Sequence, residues 1–133
     1  MAMGLIEDAQ RGVVTEEMRT VAAAEGVTED FVRRGVAEGH IVIPVSPYRK
    51  VKICGIGEGL RTKVNASIGT SSDIVDVDME IEKARQAERA GADTLMELST
   101  GGDMTEIRRR VVGTTTLSVG SVPLYQAFIE AAR

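Results

Sequence analysis

Apolar positions recur at helical spacing through the first forty residues, then form two short β-branched runs. From there the pattern alternates between strand-like and helix-like stretches. Thr15-Glu-Glu-Met18 and Thr28-Glu-Asp-Phe31 each set a hydroxyl ahead of acidic residues, the order that caps a helix and complements its dipole. Gly12, Gly26 and Gly39 fall where such helices stop. Three short helices are predicted, over 3–11, 16–25 and 29–38, and pieces this short need something to pack against. Ile41-Val-Ile43, ended by Pro44, and Val51-Lys-Ile-Cys54 read as a hairpin that turns at Pro47 and Tyr48. Gly55, Gly57 and Gly59 lack the strand–turn–helix setting and the third spacing of a dinucleotide fingerprint, so they read as a flexible connector.

From residue 61 the strand and helix periods alternate. Thr62-Lys-Val-Asn-Ala66, Thr94-Leu-Met-Glu-Leu98 and Thr115-Thr-Leu-Ser-Val119 are the predicted strands. Ile74, Val77, Ile81 and Ala84 mark one helix, with acidic residues early, Lys83, Arg85 and Arg89 late, and Gly91 as its stop. Asp103 caps a second helix with Glu106 three residues on, and Ser121 with Pro123 opens a third. Strand spacings of roughly 31 and 23 residues suit the crossovers of a parallel sheet. The expected fold class is α/β, divided into a helical and hairpin segment over 1–60 and a βα segment over 61–133. Three βα units leave parallel edges unpaired. The second segment therefore reads as an incomplete (β/α)8 barrel, or as a chain that pairs its edges with other chains.

Composition narrows the function classes. Hydrophobic residues make up 43% of the 133, enough for a core, and aromatics only 3% with no Trp, so the core is aliphatic. A net charge of −4 argues against a nucleic-acid binder. The one compact basic run, Arg108-Arg109-Arg110, reads as the cationic end of a helix. One cysteine, Cys54, excludes an internal disulfide framework and any paired-cysteine metal site within these residues. It fits a reducing, cytoplasmic setting. Neither a membrane-length apolar run nor a signal-peptide pattern is present.

Candidate chemistry gathers at strand ends, where βα folds build their sites. Asn65 and Ser67 lie two apart and share a strand face, and their amide and hydroxyl suit an amine, imidazole or ribose group. They equally suit the backbone groups of the following turn. Met96 sits in a strand between leucines, a core position unless a ligand reaches it. Glu97 points the other way, exposed or helix-facing, and nothing local makes it a general base. Ser99-Thr-Gly-Gly102 leads into a helix start that can cradle an anion or simply be capped. Tyr125 lies in the first turn of the last helix, where its phenol either packs or reaches the mouth. His40 has no partner at metal-ligand spacing.

These blocks carry a family likeness. Thr15-Glu-Glu-Met18, Val21-Ala22, Val36-Ala-Glu-Gly39 and Ile41-Val-Ile-Pro44 follow the order of phosphomethylpyrimidine synthases. Lys63-Val-Asn-Ala-Ser-Ile-Gly69 with the residues to Asp73, Gly91-Ala-Asp-Thr-Leu-Met-Glu-Leu-Ser-Thr-Gly101 and Gly120-Ser-Val-Pro-Leu-Tyr-Gln126 resemble that family's most distinctive blocks. The resemblance covers nearly the whole chain and extends to 5-hydroxybenzimidazole synthases. It implies a (β/α)8 barrel enzyme of thiamine biosynthesis that uses S-adenosylmethionine and a [4Fe-4S] cluster held by three cysteines. Such an enzyme converts aminoimidazole ribotide to hydroxymethylpyrimidine phosphate by radical chemistry. On that resemblance Met96, Tyr125 and Ser67 match ribotide contacts, and Asn65 matches the first polar position of the same block.

Three departures stand out: Ser67 where a longer amide is expected, Glu97 where the block usually has Asp, and Val45-Ser-Pro-Tyr48 in place of an Asn-rich stretch. The family's cluster cysteines and zinc-binding histidines lie beyond the matched blocks. This chain is accordingly expected to bind no cofactor by itself and to be inactive alone, carrying one wall of a ribotide pocket and associating as a homo-oligomer. The other readings are a non-catalytic small-ligand or partner-binding protein derived from the family, and a benzimidazole-type paralogue.

Overall fold

The computed structural model describes residues 4–132 and divides between Thr62 and Lys63 into two compact units. The first holds helices α1 (Leu5–Gln10), α2 (Glu16–Glu25) and α3 (Glu29–Ala37) and strands β1 (Ile41–Val42) and β2 (Ile56–Gly57). Thr15 and Thr28 cap α2 and α3, accepting hydrogen bonds from the backbone of Met18 at 3.5 Å and Phe31 at 3.1 Å. Gly26 ends α2 in the left-handed conformation. Ala9, Met18, Val21, Val32, Val36 and Ile41 form the buried core of this unit.

The hairpin differs from expectation. β1 pairs antiparallel with Ile56–Gly57, not with Val51–Cys54, so the glycine-rich stretch supplies a strand rather than a connector. Gly57 explains the choice. Its φ is +152°, and a Cβ there would run into the His40 carbonyl oxygen and lie 2.7 Å from the Ile41 Cα, so only glycine lets the strands meet.

The second unit is a three-stranded parallel sheet in the order β3–β4–β5, made of β3 (Asn65–Ile68), β4 (Thr94–Glu97) and β5 (Ser118–Ser121). The helices are α4 (Val77–Arg89), α5 (Met104–Thr114) and α6 (Pro123–Ala131). The α/β class and the parallel sheet are as expected, but element boundaries move. The helix expected from Ile74 begins at Val77, because Asp76 accepts from the Met79 backbone at 2.9 Å as its cap. Ile74 itself is exposed in a turn closed by hydrogen bonds with Ser71. β3 and β5 each start three residues later than the sequence pattern indicates. Ser121 closes β5, and Val122 precedes Pro123 at the start of α6. Arg108–Arg110 lie inside α5, not at its C-terminus.

Alternation along the strands divides the sheet into two unlike faces. Ala66, Ile68, Leu95 and Val119 belong to a core shared with Ile81 and Ala84 of α4 and Ile107 and Val111 of α5. Asn65, Ser67, Thr94, Met96, Ser118 and Gly120 share the opposite face, where Asn65 and Ser67 are exposed. Leu95 is fully buried at the centre of β4. Leu95→Ala is expected to lower stability by about 2–5 kcal/mol through lost burial and a residual cavity. Asn65→Ala, on the open face, should cost less than about 1 kcal/mol. Urea unfolding checks both, and equal losses would contradict the two-faced sheet.

Candidate functional site

The loops after β3 and β4 are fastened to one another before either reaches its helix. The Thr70 N–H donates to Ser99 Oγ at 3.0 Å, and the Thr70 hydroxyl donates to the Gly101 carbonyl at 2.7 Å. In return the Thr100 N–H donates to the Thr70 carbonyl at 3.0 Å. Gly69 lies where the two loops cross. With φ at +149°, its Cβ would sit 2.6 Å from the Leu98 carbonyl carbon and the Ser99 nitrogen, which only glycine avoids.

Two buried carboxylates complete the framework. Glu80, on α4, accepts from the Gly69 N–H at 2.7 Å and pairs with Lys83 at 2.5 Å. Glu97, the last residue of β4, is 1% exposed and accepts from the Ser99 N–H at 2.7 Å. Its other oxygen, Oε2, lies 3.4 Å from Nε of Arg108 on α5. That approach is an ion pair by distance only, because neither atom completes a hydrogen bond. Arg108 Nη1 then donates to Gln126 Oε1 of α6 at 3.1 Å. Gln126 Nε2 donates to the Thr105 hydroxyl at 3.0 Å and to Glu130 at 2.8 Å.

Against this framework the residues singled out in the sequence fall in two places. Asn65, Ser67 and Met96 share the open face of the sheet, with Ser67 in register with Met96 on the neighbouring strand. Thr94 Oγ1 donates to Asn65 Oδ1 across the strands at 3.0 Å. Met96 lies over Gly120, where an added Cβ would come within 2.7 Å of Met96 Sδ. Tyr125 stands off the sheet in the first turn of α6 and is about half exposed.

Sequence reasoning passed over Glu97, Arg108, Thr70 and Glu80 as contributors. Only Glu97 left a signal, since alternation sends it to the same face as Ile68 and Leu95. The N–H groups of Ser99, Thr100 and Gly101 are taken by Glu97 and Thr70, and the helix start that follows is capped by Asp103, which accepts from the Glu106 N–H at 3.0 Å.

Among the described residues no three His, Cys, Asp or Glu side chains come together to hold a metal. Cys54 is buried, and His40 faces Glu38 and Glu58 at 3.8 and 3.6 Å. This donor set does not fit an iron–sulfur cluster or a zinc site. What the open face offers is hydrogen-bonding groups and a thioether, which can bind and orient a polar small molecule. None of the described helices is long and apolar enough to cross a membrane.

Parallel strands that end together in polar and glycine-rich loops define an α/β segment of the kind that builds small-molecule sites at strand C-termini. The chain belongs to the radical SAM ThiC family, whose family model matches residues 4–133. It is 91% identical over 131 residues to a phosphomethylpyrimidine synthase of Methanoculleus marisnigri. It is 83% identical over 130 residues to that of Methanosphaerula palustris and 80% over 131 residues to that of Methanoregula boonei. Each alignment covers 98% of this chain and 31% of the relative, so the chain spans about a third of the length of the curated relatives it matches.

The two loops depend on the Thr70 hydroxyl. Thr70→Val keeps the shape and removes the hydrogen bond to Gly101, which should cost about 1–3 kcal/mol. Amide exchange at Thr100 and Gly101 should speed up with it. Unchanged exchange at both would show that the hydroxyl does not fasten the loops.

Proposed function

We propose that this chain forms the N-terminal part of a phosphomethylpyrimidine-synthase-type enzyme of thiamine biosynthesis. In this reading the three βα units are the first of a (β/α)8 barrel, and the open face of the sheet is part of the barrel interior. The observation that carries it is the unlike pair of faces. One is packed by α4 and α5, and the other holds Asn65, Ser67, Thr94, Met96, Ser118 and Gly120. A parallel sheet is normally covered on both sides, and a face of small and polar residues suits a ligand-lined mouth better than a second helix layer. The relatives' names support the pyrimidine branch over the benzimidazole branch of the family.

The ligand is aminoimidazole ribotide, and Asn65, Ser67, Met96 and Tyr125 form one wall of its pocket. With Oδ1 of Asn65 accepting from Thr94, its amide N–H groups are the part left to donate to a ligand acceptor. Ser67 supplies a hydroxyl, and the Met96 thioether gives an apolar surface for a ring. Tyr125 adds a phenol at the rim. Binding and orientation are the work of these residues. The [4Fe-4S] cluster, S-adenosylmethionine and zinc of the complete enzyme belong to other parts of it, and this chain alone is inactive. In this reading the complete enzyme is cytoplasmic and homo-oligomeric.

Ser67 is the sharpest test, because a longer amide there would add a donor and an acceptor. In a complete protein carrying this segment, Ser67→Asn should tighten ribotide binding about fivefold by titration calorimetry, the worth of one added hydrogen bond. An unchanged affinity would remove Ser67 from the pocket.

The strands β3 and β5 are edges of the sheet. In a barrel both would be paired, and unpaired edges recruit other chains. The 133-residue chain by itself should therefore self-associate in light scattering. A monodisperse monomer would contradict the incomplete-barrel reading.

A further inference from the structure

Glu97, Arg108 and Gln126 form a bridge that the pocket reading does not use. Its two ends each stand one residue beyond a proposed ribotide contact. Glu97 follows Met96 on β4, and Gln126 follows Tyr125 on α6. Between them Arg108 reaches both ways, 3.4 Å to Glu97 Oε2 and 3.1 Å to Gln126 Oε1. The bridge continues past Glu97 into the Ser99 N–H, and from Ser99 Oγ to the Thr70 N–H after β3. One chain of contacts thus runs across the ends of all three βα units.

Stability is a poor explanation for its central link. A fully buried carboxylate carries a large desolvation cost, offset only when geometry and hydrogen bonding are good. Here Glu97 Oε2 and Arg108 Nε face each other without completing a hydrogen bond. The rest of α6 gives little help in holding Tyr125. None of its residues is buried, and Phe128 is 75% exposed. The hydrogen bonds of Gln126 to Arg108 and Thr105 therefore fix the first turn of α6 against α5.

We propose that Glu97, Arg108 and Gln126 are positioning residues that set Met96 and Tyr125 in register for the ribotide. Glu97 holds the end of β4, which fixes the direction in which Met96 leaves the opposite face. Arg108 transmits that position to Gln126, and Gln126 sets the turn that carries Tyr125. This inference rests on the pocket reading above, and the test separates the two.

The experiment compares variants of a complete protein carrying this segment, with aminoimidazole ribotide as the probe in titration calorimetry and a thermal melt of each variant. Gln126→Leu removes the acceptor for Arg108 together with the hydrogen bonds to Thr105 and Glu130, and should weaken binding roughly five- to tenfold as the first turn of α6 loses its fastening. Gln126→Glu, made together with Glu130→Gln so that no second carboxylate faces it, keeps the acceptor for Arg108 and can accept from the Thr105 hydroxyl, and should bind within twofold of the parent. Both should melt near the parent temperature, because Gln126 is not in the core. If Met96→Ala and Tyr125→Phe weaken binding while Gln126→Leu does not, the bridge has no positioning role and the pocket stands. If none of the three changes affinity, the pocket reading falls and the bridge with it. If Gln126→Leu and the Gln126→Glu/Glu130→Gln double variant weaken binding alike, each with a lowered melting temperature, the role is structural and the proposal is overturned.

Discussion

Side-chain alternation along β4 governs most of what this chain does. Leu95 and Glu97 go to the helix side and Thr94 and Met96 to the other, and a slip of one residue would exchange them. Leu95 then anchors α4 and α5 on one face, while Met96 is left on an uncovered one. The same alternation buries Glu97 at the strand end, where its charge must be met. The Ser99 N–H donates to one oxygen, while Arg108 Nε only approaches the other, at 3.4 Å and without completing a hydrogen bond. Core and candidate site are therefore two sides of one register and cannot be varied independently.

The polar framework at the strand ends works differently from the core. Thr70, Ser99, Glu80 and Glu97 are all buried, and each engages backbone groups or a loop partner. Buried backbone donors need partners, and these side chains supply them where the sheet's own ladder ends. The result is a hydrogen-bonded rim beside an open face. In the reading proposed here, rim and face divide the labour, with the rim holding geometry and Asn65, Ser67, Met96 and Tyr125 meeting the ribotide.

How much of this was legible in the sequence depended on the range of the interactions. The caps at Thr15, Thr28 and Asp103 were readable because side chain and backbone partner lie three residues apart. The order of strands and helices in the second unit was readable from alternating periods. The late start of β5 was not, because Thr115 and Thr116 are taken up by Glu88, 27 and 28 residues away. The pairing of β1 with Ile56–Gly57 was missed because alternating glycines look flexible until the close approach of His40 is known. At the site, the strand faces of Asn65, Ser67 and Met96 followed from spacing, whereas Arg108 looked like a helix-end cation. Its contacts with Glu97 and Gln126 join residues 11 and 18 positions apart, and no local pattern announces them.

The central claim is that the open face of the sheet and the first turn of α6 form one ligand wall. Hydrogen–deuterium exchange on a complete protein carrying this segment, with and without aminoimidazole ribotide, tests it most directly. The account predicts ligand-dependent protection over residues 65–70, 94–101 and 120–126, with residues 5–37 unchanged. Protection confined to other parts of the protein, with these three stretches unaltered, would contradict it.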